Sequence, residues 1–178
     1  MAHIGDKVAI IGAGSVGSAV AFALIMRRLA SDVILVDTDK ELQHAQVQDL
    51  SDAAFLSDTG VHEGTLEQAG QCSLIVVTAG AKQHPGEKRE NLIARNFVIL
   101  TQVISGMMPF NNSAVLLIIS NPVDILTYFA QQLSGLPIEQ VIGSGTFLDT
   151  QRLRGVLADE LDVCIHSPEN NSGKLTLE

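Results

Sequence analysis

The sequence has no tryptophan, and aromatic residues make up only 4% of it. A protein that works by stacking bases or caging cations on aromatic rings would need more. Cysteine is equally scarce. Cys72 and Cys164 are the only two, and their spacing fits neither a disulfide framework nor a zinc site. Basic residues are outnumbered, with 11 Lys and Arg against 20 Asp and Glu, a formal net charge of −9. The chain therefore lacks the basic face that nucleic acid or an anionic membrane surface requires, and the acidity reads as plain solubility. Long apolar runs are missing too. AVAFALIM (19–26) and AVLLII (114–119) are too short to span a bilayer, and MAHIGDK at the N-terminus has no apolar signal region. A soluble, cytoplasmic protein is the expectation.

What remains is ample material for a core: 46% hydrophobic residues and 17% charged, over 178 residues. Short apolar runs of strand length alternate with helical patterns. KVAII (7–11), DVILV (32–36), a weaker stretch near 61–65, SLIVVT (73–78), AVLLIIS (114–120) and VIGSG (141–145) read as strands. Helical patterns cover 15–30, 40–56, about 91–108, 123–135 with Gly135 as its end, and about 147–161. Strands of near-continuous Val, Ile and Leu, each followed by a helix, predict an α/β fold with a parallel sheet covered on both faces.

GAGSVG (12–17) follows the first strand and opens the first helix, and Asp37 ends the second strand 20 residues beyond Gly17. A lone G-x-G-x-x-G is a weak signal, but this context is that of a dinucleotide site. Gly12 permits the tight turn, Gly14 lets backbone approach a pyrophosphate, and Gly17 allows close helix–strand packing. Ser15 and Val16, in the first helical turn, complete the loop that would hold the pyrophosphate at the helix N-terminus. Asp37 would accept hydrogen bonds from the adenosine ribose. Its charge opposes a 2′-phosphate, and no Arg or Lys directly follows it in DTD, so NAD is expected rather than NADP. The fold expected is a Rossmann-type, doubly wound parallel sheet of six strands.

Five further motifs follow in order: TAGA (78–81), KQHPGEKR (82–89), SNPVD (120–124), VIGSG (141–145) and LDTQR (148–152). Their order and rough spacing resemble those of the L-lactate dehydrogenases, within the lactate/malate dehydrogenase superfamily. The resemblance covers about residues 7–163. It implies reversible hydride transfer between NADH and pyruvate to give L-lactate. It also implies that Thr78, Ala79, Gly80 and Ala81 line the cofactor, and that residues 82–90 form a loop closing over the substrate. Arg89 matches the arginine that polarises the substrate carbonyl. Gln83 stands where the malate dehydrogenases place an arginine, so a small monocarboxylate fits better than a dicarboxylate. Asn121 matches an amide that contacts both nicotinamide and substrate, and it also reads as a helix cap before Pro122. Ser144 lies near the matching nicotinamide-binding turn. Arg152 matches the arginine that grips the substrate carboxylate through two parallel hydrogen bonds. Asp149 matches the acid that orients the proton-donating histidine. Read without the resemblance, Asp149 and Arg152 are a surface ion pair three apart on a helix.

The family's histidine sits in a Gly-Glu-His-Gly-Asp stretch that this sequence does not contain; the matching region reads SPENNSGKLTLE (167–178). None of His3, His44, His62, His84 and His166 fits that motif. The expected organisation is an NAD-binding domain over 1–145 and, over 146–178, the start of an α+β catalytic domain. Leu153, Val156, Leu157 and Leu161, with Phe147 and Leu148, would form an uncovered apolar face there. The alternatives are an NAD-binding module without catalysis, serving regulation or assembly, and a malate dehydrogenase. A homo-oligomer is expected of a full-length form, and no metal site is indicated. The isolated chain, lacking that general acid–base, is expected to turn over pyruvate with NADH orders of magnitude below an intact enzyme. Near-normal turnover in a spectrophotometric NADH assay would overturn this.

Overall fold

A computed structural model describes residues 7–81, 86 and 88–162, without the side chains of Leu56 and Arg89. Six strands form one sheet: β1 (Lys7–Ile11), β2 (Asp32–Val36), β3 (Gly60–Glu63), β4 (Leu74–Val77), β5 (Val115–Ile118) and β6 (Val141–Gly143). Their order is β3-β2-β1-β4-β5-β6, and every neighbouring pair is parallel. The chain winds outward from β1 to β3, returns to place β4 on the other side of β1, and winds outward again. The carboxyl ends of β1 and β4 therefore lie side by side at the switch point, where open sheets of this type bind ligands.

Among the described residues six α-helices follow the strands: α1 (Ser15–Met26), α2 (Lys40–Ala53), α3 (Leu66–Ala69), α4 (Arg89–Met107), α5 (Val123–Ser134) and α6 (Phe147–Glu160). The sheet's side chains alternate between two cores. Val8, Ile10, Val33, Leu35 and Val76 pack with Ala21 and Ile25 of α1 and Leu50 of α2. Ala9, Ile11, Ile75, Val77, Leu116 and Ile118 pack on the opposite face with Leu100, Ile104 and Met107 of α4 and Leu126 of α5. Both faces of β1 and β4 are thus apolar, which is why these strands read as near-continuous Val/Ile/Leu runs. Among the described residues no helix is long and apolar enough to cross a membrane.

The elements depart from the expected ones in three places. The first helix ends at Met26 rather than near Ala30. Arg28 takes a left-handed conformation (φ 51°), the amide of Arg28 donates to the Ile25 carbonyl, and that of Leu29 to Leu24. This is a Schellman ending with arginine where glycine is usual, so the sequence carries no stop signal. The short helix α3 was not expected. It is held by a reciprocal cap in which the Gln68 amide donates to Thr65 Oγ1 and the Thr65 amide to Gln68 Oε1. The reading of Asn121 as a helix cap does not hold: Pro122 is the N-cap of α5, and no side chain caps that helix. Gly135, at φ 68°, ends α5 as expected.

Contacts divide the chain into two compact units, Met1–Ser144 and Gly145–Glu178. In α6 and its C-cap, the side chains of Phe147, Leu148, Leu153, Val156, Leu157 and Leu161 are all exposed.

One buried polar residue joins α2 to the sheet. Gln43 is 1% exposed, and its Nε2 donates to the carbonyls of Leu35 and Gly64 while its Oε1 accepts from Lys40 Nζ. Gln43→Leu leaves the Gly64 carbonyl without this buried donor. The variant is expected to lose about 1–3 kcal/mol of stability in urea titration.

Candidate cofactor site

The loop after β1 is shaped by backbone that excludes side chains. Gly12 has φ 107°, a conformation L side chains rarely adopt, and a Cβ there would also meet the backbone nitrogen of Ala79 at 2.8 Å. A Cβ on Gly17 would collide with the carbonyl oxygen of Gly12. Both glycines are therefore required by the fold itself. Gly14 is different. Its backbone is ordinary extended chain (φ −70°, ψ −174°), and a Cβ would meet nothing within 4 Å. The protein's own packing does not explain a glycine there; a ligand lying against the backbone would.

The rest of the loop fits that ligand. Gly14, Ser15 and Val16 are exposed, and α1 has no side-chain cap, so its first-turn amides are left to an anion. Asp37 closes the mouth of the loop. Its Oδ2 accepts from the Ala13 amide at 2.7 Å and its Oδ1 from the Asp39 amide at 2.9 Å, which leaves acceptor capacity on Oδ2 for a hydroxyl. Lys40, three residues on, is held away from the loop mouth by donating its Nζ to the Asp37 carbonyl at 2.9 Å and to Gln43 Oε1 at 2.7 Å.

Other expected residues gather at the same sheet edge. The Thr78 hydroxyl points back onto the glycine loop, 2.9 Å from the Gly12 carbonyl and 3.1 Å from that of Ile11. It holds the loop's shape rather than reaching outward. Gly80 is exposed, and the Ala81 amide donates to Asn96 Oδ1 at 2.7 Å. The Ser120 hydroxyl lies 2.6 Å from the Ala79 carbonyl, and the Ser144 amide donates to the Ile118 carbonyl at 2.9 Å. Asn121 is exposed and offers its carbonyl to Asn96 Nδ2 at 2.7 Å.

Two of these residues, Asn96 and Ser120, were not expected from the sequence. Asn96 did leave a trace. It stands on the stripe with Leu100, Val103, Ile104 and Met107 that faces the core, where an amide must find partners.

Gln83 and the Arg89 side chain lie outside the described residues, as do His3, His84 and His166. Asp149 and Arg152 belong to the second unit. There Arg152 Nη1 donates to Asp149 Oδ1 at 3.1 Å, with the two side chains 68% and 71% exposed. His44 and His62 lie away from the glycine loop, paired with Glu63 at 2.6 Å and Asp32 at 3.1 Å. Burial pushes the Cys72 thiol up from its ordinary pKa, which keeps it a thiol and a poor nucleophile. Among the described residues no cluster of His, Cys, Asp or Glu could hold a metal ion.

A doubly wound sheet with this loop at its switch point defines a dinucleotide-binding domain of the dehydrogenase type. A family model described as lactate/malate dehydrogenase, NAD binding domain, matches residues 6–143, and the chain belongs to that family. It is 53% identical over 158 residues to L-lactate dehydrogenase A of Rhizopus oryzae, covering 89% of this chain and 49% of the relative. It is 43% identical over 162 residues to the L-lactate dehydrogenase of Thermus aquaticus, covering 90% of this chain and 52% of the relative. Among solved structures, the minor L-lactate dehydrogenase of Enterococcus mundtii in a ligand-bound form aligns with a TM-score of 0.85 at 36% identity. That alignment covers 92% of this chain and 52% of that one. The chain thus spans about half the length of the relatives it matches.

The contrast between the glycines gives a test. Gly14→Ala is expected to change unfolding free energy by less than about 1 kcal/mol, since its Cβ meets only open space. The same variant should weaken NADH binding at least tenfold, on the order of 1.4 kcal/mol, in a fluorescence titration.

Proposed function

We propose that this chain binds NAD(H) and forms the cofactor half of an L-lactate dehydrogenase, which interconverts pyruvate and L-lactate. The observation that carries the reading is the glycine loop, open at Gly14 and closed at its mouth by the Asp37 carboxylate. The L-lactate dehydrogenases that it resembles support the choice of reaction.

Bound NADH supplies the hydride. The chain's own part is to orient and to balance charge. Gly14, Ser15 and Val16 receive the pyrophosphate on a loop shaped by Gly12, Gly17 and Thr78, Asp37 receives the ribose, and Ala79–Ala81, Asn121 and Ser144 the remainder of the cofactor. On the substrate side, Arg89 stabilises negative charge growing on the carbonyl oxygen and Arg152 pairs with the carboxylate. To do so, Arg152 exchanges its bond to Asp149 for one to substrate. Neutral Gln83 offers no partner to a second carboxylate, which favours lactate over malate. A homo-oligomer of a full-length form is consistent with the apolar side chains exposed on α1, Phe22 and Met26.

Titration of the chain with NADH is expected to saturate, and NADPH should bind at least tenfold more weakly because Asp37 repels its 2′-phosphate. No saturation with NADH, or equal affinity for the two, would overturn the reading.

A further inference from the structure

The carboxamide of Asn96 is 3% exposed, on the face of α4 that packs on the sheet. An apolar residue would serve that packing better, because a buried amide stabilises only if its groups are bonded. Among the described residues, its side chain bonds to backbone at the ligand-facing edge. Oδ1 accepts from the Ala81 amide in the loop after β4, and Nδ2 donates to the Asn121 carbonyl in the loop after β5, each at 2.7 Å. The Ser120 hydroxyl adds a second tie between these loops through the Ala79 carbonyl. Gly80 lies between them, and a Cβ there would come within 3.4 Å of Asn96 Oδ1 and 3.7 Å of Ser120 Cβ.

We propose that Asn96 is a positioning residue for the nicotinamide half of the cofactor, clasping the loops after β4 and β5 into one wall. This rests on the NAD(H) reading above and deepens it. Each half of a doubly wound sheet receives one half of a dinucleotide. Gly12–Gly17 and Asp37 belong to the β1–β3 half, whereas both backbone groups bonded by Asn96 belong to the β4–β6 half. Loss of the clasp therefore falls on the nicotinamide end and spares the ADP end. Asparagine is the residue that supplies both a donor and an acceptor at this reach; aspartate keeps only the acceptor, and leucine neither.

The test compares calorimetric affinities for NADH and for ADP in the unmodified chain and in Asn96→Leu, Asn96→Asp and Asp37→Ala, each at a temperature where circular dichroism shows it folded. Asn96→Leu should weaken NADH roughly tenfold while changing ADP by less than about twofold. Asn96→Asp should fall between Asn96→Leu and the unmodified chain for NADH, again with ADP little changed. Asp37→Ala should weaken both ligands. If leucine prevents folding, the near-isosteric Asn96→Asp carries the comparison. Equal losses for NADH and ADP, the mark of a general structural role, would overturn the clasp, as would no loss for either ligand. An unmodified chain that binds neither ligand would overturn the NAD(H) reading and the clasp with it. One that binds both, with equal losses in the Asn96 variants, would overturn the clasp alone.

Discussion

The carbonyl oxygen of Gly12 and the α-carbon of Gly17 lie so close that no Cβ fits between them, and this contact brings the start of α1 against the end of β1. Other features of the site depend on it. With the helix seated there, its first-turn amides open at the carboxyl edge of the sheet, the one place where β1 and β4 end side by side. The same Gly12 carbonyl receives the Thr78 hydroxyl, so the loop after β4 is tied to the loop after β1 through one oxygen. Asn96 and Ser120 continue the connection to the loop after β5. Three loops from three strands are thus joined by hydroxyl and amide groups that are buried or half-buried. In such surroundings each bond is worth more than at the surface, and each unmade bond costs more.

This explains which parts of the site could be read in the sequence. Gly12, Gly17 and Asp37 act where they stand, through their own backbone or side chain, and local spacing reveals them. The strands were legible for a similar reason: burial on both faces writes itself as near-continuous aliphatic residues in Val8–Ile11, Leu74–Val77 and Leu116–Ile118. Asn96 and Ser120 act on loops 15 and 41 residues away, and no local pattern encodes a partner at that distance. The end of α1 was hidden because Arg28 holds a conformation for which glycine is the usual signal. Asn121 failed as a cap by one position, a boundary that depends on where α5 begins rather than on residue type.

The two groups of expected residues differ in how they are held. The cofactor groups are backbone amides and a carboxylate fixed by backbone, set on the ends of strands. Little of their geometry waits on a ligand, so a dinucleotide meets a site whose ordering cost was met on folding. Asp149 and Arg152 are the reverse. They are long or exposed side chains on one face of α6, each the other's partner at 3.1 Å, with most of their surface in water. An exposed pair of this kind contributes little to stability. That weakness suits the proposed role, in which Arg152 gives up one carboxylate for another. The exchange is close to neutral in water, and it becomes favourable only where a bound carboxylate is shielded from solvent and the guanidinium can meet it with two parallel bonds. The surface-pair reading of LDTQR and the proposed carboxylate-binding role are therefore compatible, because an exposed pair of this kind costs little to exchange.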